Sequence, residues 1–201
     1  MNTPDFYEHA PHIEVYDPLA ELLGAAADGR IDYGYVDAVK LAGHSCPTVA
    51  GAFLMLVKGL AWLFPNEPAE RGGVLVEIPE ALEDGTAGVT GAVATLITGA
   101  AGAGGFKGLA GRYSRRDLLR YGAAVVGDMR LTRIDSGRAA TLSYHAEIVP
   151  LTDALRAAMG RALQPGAQPQ ERAAFAVAWQ ERVKAILIDH ADDPRLVTLA
   201  D

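Results

Sequence analysis

Cysteine is almost absent from this chain of 201 residues, which contains only Cys46. A single cysteine excludes an internal disulfide framework and a metal site built from cysteines alone within one chain. The stretch 1–12 has neither the basic region nor the apolar run of a secretory signal. We therefore predict a cytoplasmic protein, in which an unpaired cysteine stays reduced.

Positive charge is also scarce. The chain has 18 Lys and Arg against 25 Asp and Glu, which gives a net charge of −7, and it contains no basic tract. Proteins that bind the phosphate backbone need the opposite balance, so we expect no nucleic-acid partner. Charged residues make up only 21% of the chain and apolar residues 50%, a composition that excludes intrinsic disorder.

No apolar run is long enough and clean enough to predict a membrane span. The longest apolar segment, Pro47 to Phe64, is interrupted by Lys58 and by the small or polar residues Thr48, Gly51 and Gly59. A transmembrane helix needs about 20 apolar residues with few charges. We therefore predict that this segment is a buried helix and that the protein has no membrane partner.

The periodic segments predict an α+β fold. Asp17-Pro18 and Pro47 are typical helix starts, because Asp caps free amides and Pro fits the first turn. The run from Ala123 to Ile134 and the run from Arg138 to Val149 read as antiparallel strands joined by a tight turn at Asp135-Ser136-Gly137. Strands in the middle flanked by helices favour α+β over a doubly wound parallel sheet.

The domain organisation follows from the same pattern. We predict one domain over residues 1–150, with a small mixed or antiparallel sheet flanked by helices. Apolar stripes at helical spacing continue through residues 151–201, which we predict to be a C-terminal helical extension packing on that domain. The segment Arg115 to Tyr121 is predicted as a short amphipathic helix.

The most informative stretch is Gly43-His44-Ser45-Cys46-Pro47. It places an imidazole and a thiol on either side of one serine, directly before a helix whose first amides have no internal partner. The helix dipole favours negative charge there, so we expect Cys46 to form its thiolate. Three interpretations remain open: a soft or borderline metal site, a Cys46 nucleophile with His44 as its base, or a structural turn.

This motif, followed by a helix rich in small residues, resembles the signature of the E-like family of formylmethanofuran dehydrogenase subunits. The similarity extends from about Asp17 to Ile148. The resemblance implies an α+β fold related to the catalytic domain of glyceraldehyde-phosphate dehydrogenase, and a homodimer. It also implies a metal site, with zinc or another divalent transition metal, at His44 and Cys46. Membership does not imply formylmethanofuran chemistry, since many members have no assigned reaction.

The sequence departs from the family pattern after the small-residue helix. Many relatives carry a second cysteine there, where this chain has Ala100, and the Gly-Lys pair that follows in relatives is broken. His44 and Cys46 alone do not fill a tetrahedral site, so further ligands are needed. His145 is the best candidate for a third ligand, because Glu147 on the same strand face is placed to orient its second nitrogen.

Glycine is concentrated between residues 99 and 111. The residues of this glycine-rich loop that we consider for binding a small anionic ligand are Gly99, Gly102, Gly104, Gly105 and Lys107. Backbone amides of such a loop can wrap an anion. The spacing matches neither a Walker A motif nor a dinucleotide fingerprint, and a flexible loop packed on the His44–Cys46 turn is the alternative.

The preferred hypothesis is a metal-binding protein with a His/Cys site at a helix start and a glycine-rich loop that closes a small-ligand pocket. The sequence assigns no specific reaction. Two alternatives stay open: a metal-free enzyme with Cys46 as nucleophile and His44 as base, and a non-catalytic protein that binds a cofactor or partner.

Overall fold

Two β-sheets and six α-helices make up the computed structural model, which describes residues 3–201. The helices are α1 (Pro18–Leu22), α2 (Tyr35–Ala42), α3 (Pro47–Leu63), α4 (Ala87–Thr98), α5 (Asp153–Ala162) and α6 (Pro169–Lys184). The strands are β1 (Ile13–Tyr16), β2 (Arg30–Tyr33), β3 (Ala69–Glu70), β4 (Val74–Glu77), β5 (Leu119–Arg120), β6 (Met129–Arg133), β7 (Ala139–Tyr144) and β8 (Val197–Ala200). This arrangement confirms the predicted α+β class.

Both sheets are mixed. The smaller has the order β2-β1-β3, in which β1 is antiparallel to β2 and parallel to β3. The larger has the order β5-β4-β6-β7-β8, with one parallel pair, β4 and β5, and antiparallel pairs elsewhere. The predicted hairpin is present as β6 and β7, and Gly137 occupies the left-handed conformation that its tight turn requires, with φ of 71°.

Helix α3 is the centre of the core. It starts at Pro47 after the cap residue Cys46, and most of its side chains are buried against the larger sheet, α2 and α4. Gly51 and Gly59 let the helix approach the sheet closely: a Cβ at Gly59 would lie 2.7 Å from Leu131 Cδ1. The prediction of a buried helix is confirmed, and no helix within residues 3–201 is long and apolar enough to cross a membrane.

The C-terminal segment combines predicted and unpredicted structure. Helices α5 and α6 and a π-helical turn, Ala185–Asp189, form the helical extension that the sequence predicts. Strand β8 then joins the larger sheet by pairing with β7, which the sequence analysis missed. The predicted helix from Arg115 to Tyr121 is wrong: Asp117 has φ of +60°, a conformation that stops a helix, and β5 follows.

Candidate functional site

The His44–Cys46 turn connects α2 to α3. Helix α2 ends at Ala42, and Gly43 takes the left-handed conformation, φ 73°, that closes many helices. Helix α3 begins directly after Cys46, with Pro47 at its first position. The sequence therefore presents an imidazole and a thiol in a short turn between two helices, of which the second is deeply buried.

The His44 ring is exposed and held in one orientation. Its Nδ1 lies 2.9 Å from the backbone oxygen of Ala42. A carbonyl oxygen only accepts, so Nδ1 donates the hydrogen bond and the neutral ring carries its lone pair on Nε2. Metal-binding histidines typically have this arrangement, in which one ring nitrogen is tied to a carbonyl and the other is free.

Cys46 is the cap residue of α3 and is partly buried. The backbone N–H of Val49 donates to its Sγ at 3.5 Å, so one of the free amides of the first helical turn points at the sulfur. Within residues 3–201 no hydrogen bond joins His44 to Cys46, so the nucleophile–base contact of the metal-free alternative is not formed in this geometry.

Ser45 fixes the turn between these two residues. Its backbone oxygen accepts hydrogen bonds from Trp179 Nε1 at 3.0 Å and from Gln180 Nε2 at 3.4 Å, both on α6. Its hydroxyl lies 2.9 Å from the hydroxyl of Tyr35 on α2, and burial raises the pKa of that phenol. Sequence reasoning missed these contacts, because Trp179 appeared only as part of an apolar stripe.

Tyr144, at the end of β7, lies against the start of α3. Its ring covers Gly51, where a Cβ would overlap it. Its hydroxyl oxygen is fully buried and has no hydrogen-bond partner among residues 3–201. Burial raises the pKa of this phenol, Arg182 opposes that rise, and negative charge at Cys46 adds to it. A buried donor without a partner is uncommon and marks this end of α3 as unusual.

His145 follows Tyr144 but belongs to different surroundings. Successive residues of an extended segment point to opposite sides, so the neighbour of Tyr144 faces away from α3. Its ring nitrogens lie 3.2 Å from Glu147 Oε1 and 3.3 Å from Thr198 Oγ1. The predicted Glu147 contact is present. The structure does not bring His145 together with His44 and Cys46, and residues 3–201 contain no group of three His, Cys, Asp or Glu able to hold a metal ion.

The glycine-rich loop packs on Arg115. Ala101 N–H donates to the Arg115 oxygen at 3.0 Å, and Gly99, in the left-handed conformation, leaves room for the Arg115 guanidinium. Within the described chain, no hydrogen bond links this loop to His44 or Cys46. Lys107 is exposed and forms no ion pair there. Ala100, which replaces the family cysteine, is fully buried.

The other predicted loop residues divide between support and exposure. Gly105 lies against the backbone of Arg115, where a Cβ would come within 2.8 Å of its oxygen. The oxygen of Gly102 accepts from the N–H of Gly105 at 3.0 Å, and Gly104 is exposed in open space. These contacts shape the loop around Arg115, and they explain its glycine content without a ligand.

A buried ion cluster holds this end of the molecule together. Asp17 accepts from Arg115 Nη2 at 2.7 Å and from Arg71 Nη1 at 2.8 Å, and it caps α1. Burial opposes ionisation of Asp17, but the two guanidiniums and the backbone amides hold the pKa of its carboxyl below the ordinary value. Burial lowers the pKa of Arg115, which has one carboxylate partner, the nearby charge of Arg71, and an Nη1 without a partner in residues 3–201.

Comparisons with protein-family models, curated proteins and solved structures find no match to this chain. The family resemblance therefore stays a prediction from the His44–Cys46 motif, and the function must be argued from the site itself.

Proposed function

We propose that the protein binds a divalent transition metal, zinc in the first place, through His44 Nε2 and Cys46 Sγ. The observation that carries this proposal is the hydrogen bond from His44 Nδ1 to the Ala42 oxygen, which leaves Nε2 as the free donor atom. An imidazole nitrogen and a thiolate are ligands that zinc prefers. The clamp on the Ser45 oxygen keeps the two residues at fixed places in the turn.

The two donors fit part of a zinc coordination sphere. Within residues 3–201 no third His, Cys, Asp or Glu joins them, so one chain does not form the closed four-ligand site of a structural zinc. The remaining positions would belong to water, to a bound ligand, or to a second copy in a homodimer. Open positions are typical of catalytic metals, which polarise a carbonyl group or activate water.

The alternative of a metal-free nucleophile has weaker support. Cys46 Sγ accepts from the Val49 amide, and the Nδ1 of His44 is engaged with Ala42, so a base role would need Nε2 to reach the sulfur. This alternative makes a distinct prediction, namely that metal-free Cys46 reacts quickly with alkylating reagents and that the reaction slows sharply in the His44→Ala variant.

Cobalt titration of the metal-free protein tests the metal site. Thiolate-bound Co²⁺ gives a sulfur-to-metal charge-transfer band, so the wild type should show the band and saturate at one ion per chain, or one per two chains if a dimer shares it. Cys46→Ala should lose the band, and His44→Ala should bind Co²⁺ at least tenfold more weakly.

His9→Ala is the matched control, because His9 is also exposed and its Nδ1 also lies near a backbone oxygen, that of Asp5, at 3.2 Å. This variant should bind cobalt like the wild type. Sedimentation with and without metal reports whether a second copy completes the site. Absence of the band in the wild type, or its survival in Cys46→Ala, contradicts the proposal.

A further inference from the structure

A second feature near α3 is a small polar cavity of about 230 Å³. It lies between the first half of α3, the start of α4 and the ends of β4 and β7. Its polar lining consists of three threonines, two carboxylates and one tyrosine. These residues are Thr48, Thr86, Thr90, Glu80, Asp128 and Tyr144.

Thr90 is the most informative of the lining residues. It is 9% exposed, and its hydroxyl makes no hydrogen bond to any residue in 3–201. A buried helix threonine usually donates to the backbone oxygen four residues earlier. Thr98 on the same helix does so, with its Oγ1 2.7 Å from the Ala94 oxygen. Thr90 therefore keeps its hydroxyl free toward the cavity, an arrangement that is costly unless something there binds it.

The other threonines follow the same pattern. Thr86 is the residue that precedes α4, yet its side chain does not cap the helix. Thr48, in the first turn of α3, likewise has no side-chain hydrogen bond within the described part of the chain. Three hydroxyls from two helices thus converge on one space with their hydrogen-bonding capacity unused.

The charge of the lining is negative. Asp128 Oδ2 accepts from the Tyr144 backbone N–H at 2.6 Å, whereas its Oδ1 has no partner among residues 3–201. Glu80 forms no ion pair within the same range, and the lining contains no lysine or arginine. Two carboxylates with free acceptor sites favour a positively charged donor and exclude an anionic ligand.

We propose that this cavity binds a small organic cation whose ammonium group donates to Glu80, Asp128 and Thr90. The volume corresponds to roughly eight water molecules at about 30 Å³ each, below the range of pockets for drug-sized ligands. The ligand is therefore a small amine. The proposal goes beyond the metal site and does not depend on it, although Tyr144 lies at the cavity and beside the start of α3.

A titration followed by NMR tests this binding in the metal-free, ¹⁵N-labelled protein. The probe is n-butylammonium, compared with n-butanol and butyrate at the same ionic strength. We expect saturable shifts at the amides of Thr48, Thr86 and Thr90 with the ammonium ion, and affinities at least tenfold weaker for the alcohol and the carboxylate, because charge-assisted hydrogen bonds carry the recognition.

Variants locate the site. Thr90→Val, Asp128→Asn and Glu80→Gln conserve size, and each should weaken n-butylammonium binding about tenfold while the amide spectrum stays that of a folded protein. Glu83→Gln is the control, since Glu83 is an exposed carboxylate outside the lining. Cys46→Ala should bind the amine normally, which separates this proposal from the metal site.

Several results would overturn the proposal. Equal affinity for butyrate or n-butanol would show that charge does not direct binding, and equal weakening in Glu83→Gln would show general surface attraction. Absence of saturable shifts would mean that the cavity does not take an amine. Displacement of the amine by Mg²⁺ at lower concentration would assign the carboxylates to a metal ion.

Discussion

Replacing Asp17 with alanine should destabilise the protein more than any exposed charge substitution. The side chain of Asp17 is 5% exposed and that of Arg115 is 8% exposed, so neither group is well solvated. Alanine removes the only carboxylate that bonds either Arg71 or Arg115 within the described residues, and it leaves a guanidinium buried without a counter-charge. The cap of α1, in which Asp17 accepts from Leu19 and Ala20, is lost as well.

The expected loss is about 4 kcal/mol. Breaking a buried pair by removing one partner costs roughly 3–5 kcal/mol, and loss of a helix cap costs about 1 kcal/mol, with some overlap between the two. Domains unfold with a total of about 5–15 kcal/mol, so the loss is a large fraction. With a urea dependence of about 2 kcal/mol per molar, the unfolding midpoint should fall by about 2 M.

Urea unfolding at neutral pH measures this loss, and Asp135→Ala is the control. Asp135 also forms a close two-point pair with an arginine, Arg133, but its side chain is 64% exposed. Exposed pairs contribute little, so this substitution should leave the midpoint nearly unchanged. If Asp17→Ala lowers the midpoint no more than Asp135→Ala does, the reasoning from the buried cluster is refuted.

The same carboxyl makes a pH prediction. The pKa of Asp17 is lowered in the folded state, so its stabilising effect is complete above the unfolded value of about 3.9 and disappears as the pH falls through the lower folded value. The wild type should therefore lose stability steeply below about pH 4. Asp17→Asn should show a shallower loss there, and equal slopes for the two proteins would contradict the prediction.

Three further substitutions test the packing and the turn, each by urea unfolding. Gly51→Ala should cost about 1–3 kcal/mol, because its methyl group overlaps the ring of Tyr144. Trp179→Phe removes a donor to the Ser45 oxygen and should cost about 1 kcal/mol. Gly43→Ala should cost about 1–2 kcal/mol, because alanine is strained in the left-handed conformation.

Gly160→Ala gives these tests a control of opposite sign. Gly160 lies in α5 with open space where a Cβ would be, so alanine should stabilise the protein by about 0.5–1 kcal/mol through its helix propensity. If Gly51→Ala also stabilises, the close approach of Tyr144 to α3 is wrong. If Trp179→Phe leaves the midpoint unchanged, the contact with Ser45 does not contribute.

The sequence predicted the elements whose signals are local. Pro47 and the apolar segment that follows it gave α3, and Asp135-Ser136-Gly137 gave the β6–β7 hairpin, because caps and tight turns depend on a few adjacent residues. Strand β8 was missed, since its four residues become a strand only by pairing with β7. The segment at Asp117 was misread as a helix because its conformation depends on the Arg115 cluster, whose other members lie far away in the sequence.

The candidate site was predicted in part. His44 and Cys46 are recognisable as near neighbours in sequence, and the structure places them at the start of α3 as expected. The contacts of Ser45 with α6, the buried hydroxyl of Tyr144 and the polar cavity beside it could not be predicted. Each of them depends on residues from distant segments that meet only in the folded chain, and none has a local motif.

The contact between Ser45 and Trp179 has a consequence for how the protein folds. The two residues are separated by 134 positions, and closing so long a loop costs entropy that local contacts do not return. Helices α2 and α3 can form early, but the turn between them is held in place only after α6 has docked. We therefore expect the candidate site to mature late on the folding pathway, after most of the core has assembled.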